Sequence, residues 1–221
     1  MLTAAEKKFL AGREYWTMHK PLVLFYRHEL ERALARALRR AGVALEGRRI
    51  LEDGCGEGRF LRQLVEFGAE PARVYGVERD AAALNAARER ASRARYVRAD
   101  AAALPFRGGS FDVATQAVLF SSLPPDETRR RAAEELARVL RPGGLLIWYD
   151  FVERAREGLP QGLELGEVRA LFPGWPMTAY KFGLRFRWAA VLVNKALWLA
   201  HLLAATGVRR SHYLILLTKP E

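Results

Sequence analysis

Apolar residues in the first part of the chain recur at intervals of three and four: Leu22, Phe25, Tyr26, Leu30, Ala33, Leu34, Ala37 and Leu38. That spacing predicts an amphipathic helix over residues 20–41, and Gly42 supplies its stop. Beyond it, short apolar runs alternate with helical stretches. RRILED, VYGVE, RYVRAD, FDVATQAV and LLIWYDF read as strands. GRFLRQLVEFG, AAALNAARERA and DETRRRAAEELARVLRPGG read as helices, the last closed by Pro142-Gly143-Gly144. Such alternation predicts βαβ units, a mostly parallel sheet with helices on both faces, and ligands at the carboxyl ends of the strands. In the last third, ELGEVRALF reads as a helix, WPMTAYKF as a strand, residues 188–205 as one long apolar helix, and HYLILLT as a final strand. No linker interrupts the pattern. Residues 1–221 are therefore expected to form one α/β domain, with a helical cap (1–45), a core (48–151) and a C-terminal part of strands and inserted helix (152–221).

Charge refines this picture. The chain carries a net charge of +11, unevenly spread. Residues 1–50 hold 11 basic and 5 acidic side chains, residues 51–150 hold 15 of each, and residues 151–221 hold 10 and 5. The flanks, not the core, are suited to an anionic partner such as a phosphate, a carboxylate, nucleic acid or a lipid surface. A single cysteine, Cys55, excludes an intramolecular disulfide and argues against a zinc site, so no metal is expected. The first 16 residues lack the apolar stretch of a signal peptide, which makes a cytoplasmic protein the expectation.

The densest chemistry lies in Ile50-Leu51-Glu52-Asp53-Gly54-Cys55-Gly56-Glu57-Gly58. Glycines at 54, 56 and 58 let the backbone turn sharply and approach a ligand that a Cβ would block. A dinucleotide-binding turn would place its third glycine at position 59, which is Arg59, and no Lys-Ser/Thr pair follows to make a phosphate-binding loop. An acid stands at the end of each of the next two strands: Glu78 after VYGV and Asp100 after YVRA.

ILEDGCGEG resembles the first motif of class I S-adenosylmethionine (SAM) dependent methyltransferases, and the likeness to that family runs through five ordered motifs from about residue 48 to 151. It implies a Rossmann-like fold, SAM as the cofactor and S-adenosylhomocysteine as the product. It also implies that Glu52 lies near the SAM ammonium and that the amides of Gly54, Cys55, Gly56 and Gly58 suit its carboxylate. Glu78 resembles the acid that takes both ribose hydroxyls, and Asp100, with Ala101 beside it, the acid that meets the adenine amino group. Gln116 sits where the family contacts the methionine part. Two positions depart from the pattern. Arg79 stands where an apolar residue often packs on adenine, and Asp53 leaves open which of the two adjacent acids faces the ammonium.

In the family the acceptor is gathered after strands four and five and under an N-terminal cap. Here that means Ser121, Ser122, Tyr149 and Asp150, with Tyr15, Trp16 or His19 from the cap. Relatives often carry two histidines where this chain has the serines, so the candidate bases are His19, Asp150 and His28. With Cys55 the only thiol, carbon-5 pyrimidine chemistry is excluded. The absence of an Asn/Asp-Pro-Pro-aromatic motif argues against methylation of exocyclic base amines. The late apolar helix is too short to span a membrane and carries Asn194 and Lys195 at its middle. At 100° per residue, Arg187, Asn194, Trp198 and His201 share one arc, which could line the acceptor cleft, lie on a membrane surface or meet water. The segments WYDF and HYLILLTKP resemble bacterial small-molecule methyltransferases encoded with glycan or lipid assembly genes. Three readings follow: transfer to oxygen on a small anionic or lipid- or glycan-linked acceptor, with peripheral contact at the inner membrane surface; RNA-directed methylation; and SAM binding without transfer.

Overall fold

In the computed structural model, which describes residues 19–91, 93–124, 127–152, 162–207 and 210–221, all seven strands belong to one sheet of order β3-β2-β1-β4-β5-β7-β6. The strands are β1 (Ile50–Asp53), β2 (Val74–Glu78), β3 (Arg95–Arg98), β4 (Phe111–Ala117), β5 (Leu140–Phe151), β6 (Met177–Phe182) and β7 (His212–Thr218). β3, β2, β1, β4 and β5 are parallel neighbours, and β7 runs antiparallel between β5 and β6. The helices are α1 (Pro21–Ala41), α2 (Arg59–Glu66), α3 (Ala81–Arg90), α4 (Glu127–Val139), α5 (Leu165–Leu171), α6 (Phe186–Lys195) and α7 (Leu197–Ala205). The expected mostly parallel α/β sheet is what forms.

Alternate strand residues bury on opposite faces, as the period of two requires. Ile50, Val113, Ile147 and Leu216 join one core with Leu34 of α1, Leu61 of α2 and Leu84 of α3. Ala114, Leu146, Trp148 and Ile215 join another with Leu136 of α4 and Val168 of α5. Gly42 ends α1 in the left-handed conformation, φ 63°, and its N–H reaches back to Arg39.

Two boundaries differ from the sequence expectation. The helix expected to reach the Pro-Gly-Gly turn stops at Val139, and residues 140–144 join β5. The tail after β7 explains this: the Gly143 N–H donates to the Lys219 carbonyl, the Lys219 N–H donates to Gly144, and the Lys219 ammonium caps the carbonyls of Ala137 and Leu140. The single long helix over 188–205 is instead two. Ala196, with φ −158° and ψ 89°, is extended and separates α6 from α7. The arc drawn through Arg187, Asn194, Trp198 and His201 on one straight helix is thereby broken. The side chain of Arg187 lies outside the described residues.

One contact pins the central strands to the glycine turn. A Cβ on Gly76 of β2 would stand 2.7 Å from Cys55 Sγ and 2.8 Å from Leu61 Cδ1. Gly76→Ala is therefore expected to cost about 1–3 kcal/mol by overpacking, measured by denaturant unfolding, and Cys55→Ala should recover part of that loss. Strictly additive losses in the double variant would contradict the contact.

Candidate cofactor and acceptor site

Parallel strands bring β1, β2, β3, β4 and β5 to a common carboxyl edge, and there the sequence-derived residues gather. β1 ends in Glu52 and Asp53, which are 1% and 0% exposed. Glu52 Oε2 and both Asp53 oxygens have no hydrogen-bond partner among the described residues. Adjacent strand residues point to opposite faces, so the two acids have different surroundings. Burial raises the Glu52 pKa well above the carboxylate range, with the Leu61 N–H and the Arg62 charge acting the other way. Asp53 is pushed to about 8, first by burial, then by the neighbouring charges of Asp100 and Glu78. Buried acids with unsatisfied oxygens are costly, and a cationic partner beside either would offset that cost.

Above them the turn is held open. Gly54, Gly56 and Gly58 all have positive φ, at 69°, 51° and 69°. A Cβ on Gly56 would meet no atom within 4 Å, so glycine there keeps a left-handed backbone and clear space beside it. Gly54 is packed from above, since a Cβ would stand 2.7 Å from Leu119 Cδ1. Glu78 ties the turn to β2: its Oε2 accepts from the Gly56 N–H at 3.0 Å and its Oε1 from the Asp80 N–H at 2.8 Å. Asp100 is exposed at the end of β3, with Oδ1 accepting from the Ala102 N–H. A surface recess lined by Asp100, Ala102, Ala103, Glu127, Thr128 and Arg131 lies beside it. Ala101 is half-buried and Arg79 is exposed. Cys55 is 5% exposed, and burial raises its thiol pKa, which makes it a packing residue and not a nucleophile.

The loop after β4 is built around Asp150 and Gln116. Asp150 Oδ2 accepts from the Ser121 N–H at 3.1 Å and lies 3.4 Å from Gln116 Nε2, while Oδ1 accepts from the Phe151 N–H. Burial pushes the Asp150 pKa up to about 6 against these bonds. Gln116 Oε1 accepts from Leu119 and Phe120, and its Nε2 donates to the Tyr149 carbonyl at 3.2 Å. Between them Val118 has φ 61°, a left-handed, strained conformation for a β-branched residue. Ser121 is buried and Ser122 exposed, and both hydroxyls donate to the Val118 carbonyl.

Tyr149 lies in an aromatic cluster, with ring centroids 6.2 Å from Phe60 and 5.5 Å from His212. His212 is neutral, its pKa lowered to about 3 by burial, and its Nδ1 meets the Ser211 hydroxyl at 2.7 Å. Sequence reading missed His212, although its place opposite Phe151 at the start of β7 follows from strand pairing. It also missed the bond of 2.8 Å between Glu29 of α1 and His201 of α7, which no local pattern could reveal. Of the remaining candidates, His19 is exposed, His28 stacks on His201, and Trp198 is 69% exposed on the outside of α7. Tyr15 and Trp16 lie outside the described residues.

A sheet of this order, with a glycine turn after β1 and acids ending β2 and following β3, has the Rossmann-like class I methyltransferase fold. A solved SAM-dependent methyltransferase from Mesorhizobium loti superposes with a TM-score of 0.62 over 83% of this chain and 96% of its own, at 21% identity. Residues 51–148 match a family model described as a methyltransferase domain, and that stretch is a methyltransferase domain. Curated relatives include a malonyl-acyl-carrier-protein O-methyltransferase of Enterobacter lignolyticus, 33% identical over 61% of this chain and 50% of its own length. A fatty-acid O-methyltransferase of Mycolicibacterium smegmatis is 33% identical over 53% of this chain and 41% of its own length. The chain thus spans half or less of the length of these relatives.

Two outcomes are expected at this site. Glu78→Ala removes the acceptor of two backbone N–H groups and should weaken SAM binding by at least about 1.5–3 kcal/mol in calorimetry; unchanged affinity with an intact fold would sink the assignment. Asp53 has a higher pKa folded, about 8, than its ordinary 3.8, so the folded state binds that proton more tightly. Its effect is therefore a stability that falls as pH rises from about 4 toward 8, on the order of a few kcal/mol. Asp53→Asn should flatten that slope in urea unfolding across the range, and an unchanged slope would show Asp53 ionised throughout.

Proposed function

We propose that the protein is a SAM-dependent methyltransferase acting, as one cytoplasmic domain, on the oxygen of a small acceptor that is anionic or linked to lipid or glycan. The observation that carries this reading is the buried pair Glu52 and Asp53, whose Oε2 and two Oδ atoms lack a hydrogen-bond partner among the described residues, beneath a glycine turn with clear space at Gly56. A ligand with both a cation and a carboxylate suits that combination. Glu52 or Asp53 would take its ammonium, Glu78 its ribose hydroxyls, and Asp100 with Ala101 its adenine; the Cys55, Gly56 and Gly58 N–H groups already donate to Val77, Glu78 and Cys55, which leaves the first turn of α2 for its carboxylate. When bound, SAM supplies a methyl carbon already activated by the sulfonium. The protein's own work is alignment: Gln116 and Asp150 fix the loop at Val118, Ser121 and Ser122, and the cluster around Tyr149 forms an apolar floor.

A carboxylate is the acceptor class that asks least of this site. Asp150 is spent on backbone amides, His28 is stacked, and His212 is too weakly basic at a pKa of about 3 to take a proton at neutral pH. A carboxylate oxygen is ionised at neutral pH and needs no base. The names of the two O-methyltransferase relatives point the same way.

Incubation with methyl-labelled SAM and a fractionated cell extract tests the reading. Label is expected in acidic lipid or small-acid fractions as a base-labile ester, and Gly56→Val should abolish it while circular dichroism stays native. Label in RNA would overturn the acceptor class, and label in no fraction would overturn transfer.

A further inference from the structure

Helices α6 and α7 are packed inside out. Their buried faces carry small residues, Ala189 and Val193 of α6 and Ala200 and Ala204 of α7, set against Phe25 and Tyr26 of α1. Their outer faces carry large ones: Trp188, Val191, Trp198 and Leu202 are 50%, 58%, 69% and 56% exposed. Among the described residues, the large apolar side chains that stand mostly exposed all lie on these two helices. Trp188, Val191 and Lys195, spaced three and four apart, share one side of α6, and Trp198 and Leu202 share one side of α7. Scattered exposed apolar residues need no explanation, but a cluster confined to one small insertion does.

Charge identifies the occupant. From Gly183 to Ser211 the sequence holds Arg185, Arg187, Lys195, Arg209 and Arg210, and no carboxylate at all. Exposed tryptophans on a segment whose charges are all positive suit the headgroup layer of an anionic bilayer, where the indole sits at the interface and cations such as Lys195 meet phosphates. Among the described residues no helix is long and apolar enough to cross a membrane, so any contact through α6 and α7 lies in the plane of the interface. Position agrees as well. The insertion leaves the sheet at Phe182 and returns at His212, and His212 is in register with both Phe182 and Phe151, the last residue of β5. The patch therefore stands at the sheet edge that carries Tyr149 and Asp150.

We propose that the outer faces of α6 and α7 dock on an anionic lipid surface, through Trp188, Val191, Trp198 and Leu202 with Lys195 between them. This gives the peripheral membrane contact a defined surface, and it does not depend on the transferase reading, because SAM binding at the β1 turn can be measured without lipid.

The test is co-sedimentation of the full chain with vesicles of phosphatidylcholine alone or mixed with phosphatidylglycerol. Binding is expected to the mixed vesicles, weakening as salt rises. Trp198→Ala combined with Leu202→Ser should reduce it about tenfold or more. Lys195→Glu should reduce binding to the anionic vesicles specifically. These side chains are exposed, so melting temperature and SAM affinity should stay near wild type, which separates a docking role from a packing role. No binding to anionic vesicles at low salt would overturn the proposal, as would binding that the double variant leaves unchanged. Self-association of the wild type that the double variant abolishes, without vesicle binding, would assign the face to a second copy of the chain instead.

Discussion

Two carboxylates in succession at the end of β1, with Glu52 Oε2 and both Asp53 oxygens unsatisfied among the described residues, set the terms for the rest of the molecule. Parallel pairing to β2 and β4 fixes Glu52 and Asp53 at the carboxyl edge, and the alternation of side chains sends one acid toward each face. Burial raises both pKa values, and Glu78 and Asp100 add negative charge to Asp53. A protein that keeps such groups unpaired forgoes stability that an apolar residue would supply. The arrangement makes physical sense if a cation completes it. The glycine turn above has the complementary property of clear space with no Cβ at Gly56, while its Cys55, Gly56 and Gly58 N–H groups are held by Val77, Glu78 and Cys55.

Around that centre the fold places rigid supports. Glu78 clamps the turn through the Gly56 N–H and is itself fixed by the Asp80 N–H, Leu119 covers Gly54, and Leu119 is held by Gln116. Asp150, a candidate base by sequence, serves the same end through the Ser121 N–H. The strained φ of Val118 is sustained by this network, with its N–H bonded to Tyr149 and its carbonyl taking the serine hydroxyls. α1 joins the two halves of the site: its later turns pack in the sheet core, and its first turns hold α6 and α7, where Glu29 meets His201.

The core was legible in the sequence because its signals are local. Alternating apolar runs, three glycines and an acid at each strand end are read within a few residues of one another, and the strands from β1 to β5 appear where that pattern puts them. What escaped depends on distant partners. The end of α4 at Val139, short of the Pro-Gly-Gly turn expected to close it, is set by Lys219, eighty residues on, whose ammonium takes the carbonyls of Ala137 and Leu140. The break at Ala196 has no glycine or proline to announce it, and it dissolves a polar stripe that a straight helix would have had. Trp198 illustrates the cost. Periodicity placed it in a polar arc with Asn194 and His201, yet it stands outside beside Leu202, while His201 turns inward to Glu29. In residues 188–205 the large side chains of Trp188, Val191, Trp198 and Leu202 stand on the surface.

Calorimetric titration of SAM into the wild type and into Glu52→Gln, with thermal melting of both, tests the central claim most directly. A buried carboxylate with one oxygen left for a cation should cost stability without ligand and contribute affinity with it. One SAM is therefore expected per chain, with at least about tenfold weaker binding in Glu52→Gln and a melting temperature in the free variant equal to or above wild type. Failure of the wild type to bind SAM, or equal affinity in the variant, would contradict it.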